Sequence, residues 1–143
     1  MLDHLHPDIR VLATSEPATD AEVASLNARF PSLPDLLKQL MLTATEIELS
    51  YRGRYLRLYG PGGCIDMDSA YNISSAIPNS LTIGDNGGCE AIVMLADGSL
   101  VRAGYATLDE THFVADSLSA LLIDATASAD DVGSIYGDHE DGG

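Results

Sequence analysis

The sequence predicts an α+β fold: a single domain with an antiparallel sheet of about five to six strands, two N-terminal helices and one C-terminal helix packed on it. Three observations predict it. Apolar residues at helical spacing occur in two stretches before residue 45 and one near residue 120. Period-two alternation and tight turns fill the middle. The length of 143 residues, with 45% hydrophobic content, suits one core. A chain this long buries roughly 68% of its unfolded surface, so its core needs no disulfide or metal.

The elements follow in order. Residues 1–18 hold two prolines and mixed signals, and predict an irregular arm with a short strand at 9–12. Thr19-Asp20-Ala21-Glu22 has the spacing of a capping box, in which Thr19 accepts a backbone N–H and Glu22 reaches back to the cap. Val23, Leu26 and Phe30 follow at helical spacing until Pro31. Pro34 opens a second helix with an apolar stripe of Leu33, Leu36, Leu37, Leu40 and Met41. Ile47, Leu49 and Tyr51 alternate with Glu46, Glu48 and Ser50, and a second alternating run follows Arg52-Gly53, so the pair predicts a β-hairpin. Gly60-Pro61-Gly62-Gly63 breaks the strand, and residues 64–80 read as mostly irregular, with a helical turn near Asp68 to Tyr71. Residues 81–83 and 89–95 are strands separated by a glycine-rich break. The apolar density of 91–95 predicts a central strand covered on both faces. Asp97-Gly98 turns the chain into a partner strand at 100–105. Ser117 caps a last helix with Leu118, Leu121 and Leu122 facing inward. Beyond residue 124 periodicity fades into an acidic, glycine-rich end, DDVGSIYGDHEDGG, expected to be a flexible tail over 125–143.

Charge is the unusual bulk property. The net charge is −15, and its distribution is uneven. Residues 1–57 hold 8 acids and 6 bases; residues 58–143 hold 14 acids and one base, Arg102. Such a field repels nucleic acid and anionic membrane surfaces and steers basic partners. No stretch has the layout of a targeting signal or reaches 18 uninterrupted apolar residues, so a cytoplasmic protein without a membrane span is expected. Cys64 and Cys89 are too few for a disulfide framework or a four-ligand zinc site, and read as reduced, half-buried strand residues.

The stretch Ile83-Gly84-Asp85-Asn86-Gly87-Gly88-Cys89-Glu90 is the first place to look for chemistry. A phosphate loop wants amides at a helix N-terminus and usually a lysine. Here a strand follows, and Asp85 and Glu90 oppose phosphate. Calcium wants oxygen ligands at alternate positions of a twelve-residue loop, which is absent. What remains is a turn, with Gly84, Gly87 and Gly88 as structural glycines that admit positive φ and close backbone approach. Asp66-Met67-Asp68 has the Asp-x-Asp form of divalent-metal sites but lacks the large nucleotide-binding domain such sites serve. A Cys89–His112 pair has no local support. Arg52, Arg54 and Arg57 interleave with Tyr51, Tyr55 and Tyr59, a pattern that binds single strands elsewhere. In so acidic a chain they fit better as internal partners of nearby acids. No catalytic, metal or cofactor residues are therefore assigned.

Three segments in order resemble the SUKH superfamily, the Smi/Knr type, over roughly residues 19–124. They are Ile83 to Ile92, similar to that family's Ile-Gly-x-x-Gly-Gly-Gly run into a central strand; Leu33-Pro34-Asp35-Leu36-Leu37; and Phe113 to Leu122, similar to its closing motif. Cys89 stands where the family has a third glycine, and Leu118 and Leu121 where it has aromatics. The resemblance implies an α+β domain without a catalytic centre that binds other proteins. Bacterial members are immunity proteins that neutralise toxins, often nucleases, whose phosphate-gripping surfaces are basic. The expected partner is a basic toxin domain. The candidate contact acids are Asp66, Asp68, Asp85, Glu90, Asp97, Asp109 and Glu110, each in or beside an expected loop. The alternatives are an intracellular adaptor, as in the fungal regulator of cell-wall synthesis, and a small enzyme using Cys89 or the Asp66/Asp68 pair.

Overall fold

The alternating runs at the middle of the chain organise everything around them. The computed structural model describes residues 2–133. After a 3-10 turn at Leu2–His4 come β1 (Ile9–Ser15), α1 (Asp20–Arg29), α2 (Asp35–Thr43), β2 (Thr45–Tyr51) and β3 (Arg54–Leu58). Then follow α3 (Pro61–Tyr71), α4 (Ile73–Ala76), β4 (Leu81–Asp85), β5 (Glu90–Met94), β6 (Leu100–Gly104), β7 (Thr107–Ala115), α5 (Leu118–Leu122) and α6 (Ala129–Val132). The strands form one antiparallel sheet in sequential order, β1 to β7, with β1 and β7 at its edges.

Alternation decides which face each strand buries. The β2–β3 register sets Ile47 against Leu58 and Leu49 against Leu56, and all four join the main core. Val23, Leu26 and Phe30 from α1 and its end, Leu37, Leu40 and Met41 from α2, and Leu118, Leu121 and Leu122 from α5 pack on the same core. Each such leucine contributes roughly 1.5–3 kcal/mol by burial. The α1 start is the expected box: the Glu22 amide donates to Thr19 Oγ1 at 3.1 Å, and the Thr19 amide to Glu22 Oε1 at 2.9 Å. A second, smaller cluster of Ile73, Ala91, Val93 and Val101 lies on the opposite side, with α4 supplying Ile73. Thus β5 is covered on both faces, as its apolar density predicts.

The structure corrects the sequence reading in four places. There are seven strands, because residues 107–115 form β7, the longest of them. Most of β7 is exposed on both sides, so it carries no period-two signal. Residues 64–80 are not mostly irregular but lie largely in α3 and α4. Gly62 and Gly63 in the first turn of α3 weaken the helical signal, while Pro61 at its start suits one. The short strand expected at 9–12 in the arm runs on to Ser15 as β1 and joins the sheet, paired with β2 through Ile9–Tyr51, Arg10–Ser50 and Val11–Leu49. Finally, residues 125–133 form a strap across the sheet, with Ala125, Ala127 and Val132 buried; the rest of the expected tail, 134–143, lies outside the described residues.

The strap is held by side chains that address its backbone. Tyr51 Oη donates to the Ala127 carbonyl at 2.8 Å, and Arg52 Nη2 to that of Ala125 at 3.0 Å. Arg102 Nε donates to Asp131 O at 3.0 Å, and Asn86 Nδ2 to Val132 O at 3.1 Å. Arg54 pairs with Asp130 at 2.8 Å.

Candidate functional site

The glycine-rich break joins β4 to β5 at the seam where β3 meets β4. That seam is narrow: its register pairs are Arg57–Asp85 and Leu58–Gly84. A Cβ on Gly84 would meet the Arg57 carbonyl oxygen, so only glycine lets the two backbones approach this closely. Gly87, at φ +81°, lies against the Tyr55 ring.

Asp85 is not a contact acid. Its side chain is 5% exposed and meets four donors. Oδ2 accepts from Arg57 Nε at 3.1 Å, Arg57 Nη2 at 2.8 Å and Tyr59 Oη at 2.6 Å; Oδ1 accepts from the Gly87 amide at 2.8 Å. Burial works against the Arg57 charge, but the Asp85 carboxylate outweighs it and raises the guanidinium pKa. Burial, reinforced by the hydrogen bond to Asp85, also pushes the Tyr59 hydroxyl well above its ordinary value. Tyr105 continues the cluster, and its ring stacks on Tyr71 with centroids 4.1 Å apart.

Glu90 is half-buried. Its Oε2 accepts from Arg102 Nη1 at 2.6 Å and its Oε1 from Asn86 Nδ2 at 2.8 Å. Asn86 itself is buried and ties this pair to the strap. Every carboxylate the loop offered to a ligand is thus bonded to protein donors. Asp85 is corrected accordingly, from a contact acid to the inner partner of Arg57; Glu90 stays half-buried and is paired with Arg102.

The remaining acids spread over three elements. Asp68 and Asp66 sit on α3, not in a loop. Asp68 is half-buried and spans the break between α3 and α4, accepting from the Ser74 amide at 2.7 Å and the Ser74 hydroxyl at 2.9 Å. Asp66 is exposed. Asp97 is exposed in the turn before β6; the Ser99 hydroxyl and amide bond its carboxylate and hold its pKa below the usual range. Asp109 and Glu110 are exposed on β7. Among the described residues, no three His, Cys, Asp or Glu side chains gather as metal ligands would.

The cysteines differ from the expected half-buried strand pair. Cys64 is buried on α3, and burial pushes its thiol up to about 12, so it is a poor nucleophile; Cys89 is exposed in the loop before β5. Both are free. Strand β6 separates Cys89 from His112 on β7. No helix among the described residues is long and apolar enough to cross a membrane.

Sequence reasoning missed two features of this surface: the tyrosine cluster of Tyr59, Tyr71 and Tyr105, and Phe113, which is 59% exposed. Tyr71 and Tyr105 come from separate elements and share no local pattern. Phe113 stood within an apolar motif that reads as inward.

No protein-family model matches the chain, and no curated protein matches it.

Proposed function

We propose that the chain is a non-catalytic protein-binding domain of the SUKH type, acting as an immunity protein against a basic, nuclease-like toxin. The observation that carries this reading is where the charges go. Arg52, Arg54, Arg57, Arg102 and Lys38 are all engaged in ion pairs with the chain's own acids. Asp66, Asp97, Asp109 and Glu110 remain exposed and without an ion pair among the described residues. The negative field is therefore turned outward, where it steers and holds a basic surface. The catalytic alternative gains little from the same geometry: Cys89 is exposed and free but strand β6 lies between it and His112, and Asp68 is occupied by Ser74.

Affinity capture from the source cells, eluted with a salt gradient, tests the reading. One basic, nuclease-sized protein should elute steeply with salt. Reversing Asp66, Asp97, Asp109 and Glu110 to lysine together should weaken its capture and flatten that salt dependence. Several ordinary cellular proteins eluting with little salt dependence would replace this reading with the adaptor.

A further inference from the structure

Both edges of the sheet expose backbone, and both carry register shifts; they differ in charge and in exposed apolar side chains. Every second residue of an edge strand points its N–H and C=O away from the sheet, where another strand can pair with them. The β1 edge is irregular: its pairing with β2 shifts register between Val11 and Ala13 and again between Ala13 and Ser15, and it carries no acid. The β7 edge pairs regularly with β6 only from Val101–Phe113 through Arg102–His112 to Ala103–Thr111; its register shifts on either side, between Leu100 and Val101 and between Ala103 and Gly104, which pairs with Thr107. Residues 107–113 are exposed apart from Leu108, which is half-buried. The strand has neither proline nor lysine among the usual guards against edge pairing, and its one irregularity within the exposed stretch lies between Thr107 and Thr111, leaving 111–113 regular. It carries Asp109 and Glu110, and Phe113 is the most exposed large apolar side chain among the described residues.

We propose that the free edge of β7 is the docking strand of this domain, and that its occupant is an extended basic segment of the partner protein, added to the sheet as an eighth strand. This deepens the immunity reading and rests on it for the partner's basic character. Backbone pairing at the regular stretch 111–113 supplies the attachment. Lysine or arginine beside Asp109 and Glu110 supplies the selectivity, and an apolar side chain covers Phe113.

Amide hydrogen exchange on the full chain tests this with two synthetic peptides, one alternating lysine with valine and one alternating glutamate with valine. The lysine peptide should slow exchange within 107–113 and the glutamate peptide should not. Asp109→Lys with Glu110→Lys should weaken lysine-peptide binding about tenfold or more. Protection on β1 or around Tyr71 and Tyr105, equal protection by both peptides, or none at all would overturn the proposal. So would a dimer of the chain alone with 107–113 already protected, since the edge would then be filled by a second copy.

Repeating affinity capture with the Phe113→Glu chain separates this proposal from the reading beneath it. A basic partner captured equally by both chains keeps the immunity reading and removes the β7 edge from it. If neither chain captures a basic partner while the lysine peptide still protects 107–113, the immunity reading fails and the strand-binding edge stands.

Discussion

Asp85 shows how little a residue's local context says about its role. It stands in a glycine-rich run, which reads as solvated, yet four donors from Arg57, Tyr59 and Gly87 enclose it. Arg57 lies 28 residues away, so the pair is invisible to any local pattern. Gly84 beside it was legible as a close approach, although the strand it approaches was not. The prediction at this scale is Gly84→Ala. The new Cβ meets backbone at Arg57, which cannot swing aside as a side chain would. Chemical denaturation should show a loss of about 1–3 kcal/mol, with the β3–β4 amides exchanging fastest. An unchanged midpoint would mean that the seam is looser than its geometry.

At the scale of elements, the strap is held mainly through its backbone carbonyls. Tyr51, Arg52, Asn86 and Arg102 each donate to one. Such contacts tolerate changes in strap side chains but not loss of the donors. Tyr51→Phe leaves the Ala127 carbonyl without its partner in a buried place, at about 1–3 kcal/mol. Limited proteolysis should then cut near 125–133 before it cuts the sheet. Cutting first elsewhere would show that the strap does not depend on this bond. The same scale explains which elements were legible. The α1 capping box, the α2 stripe and the Ser117 cap declare themselves within a few residues. Strand β7 does not, because an edge exposed on both sides has no reason to alternate. Nor does α3, whose apolar residues Cys64, Ile65 and Met67 follow no single stripe.

For the whole molecule, titration at high pH is governed by tyrosines. Burial raises the pKa of Tyr51, Tyr55, Tyr59 and Tyr105 in the folded state, with Glu48 adding to Tyr55 and Asp85 to Tyr59. An unfolded tyrosine titrates near about 10. Above that pH the unfolded chain loses protons that the folded chain keeps, so stability falls as pH rises. Buried Cys64 acts in the same direction from the ordinary thiol value of about 8.5 upward. Thermal unfolding should therefore show no tyrosine-linked loss between neutral pH and about 8, and a steep loss above about 10. Tyr59→Phe should flatten that loss. A decline already complete by neutral pH would assign it to other groups.

The sequence by itself determined the α+β class, the helix starts at Thr19, Pro34 and Ser117, the β2–β3 hairpin and the central place of β5. Each is written in residues a few positions apart, because capping, amphipathic spacing and one-sided burial act over a turn or a strand. Only the tertiary structure decided that Asp85 is the inner partner of Arg57, that Glu90 pairs with Arg102, that 125–133 is a strap and that β7 closes the sheet with a free edge. Arg54 meets Asp130 across 76 residues. Pairings at that distance are set by how the sheet and its helices pack together, and no local pattern records them.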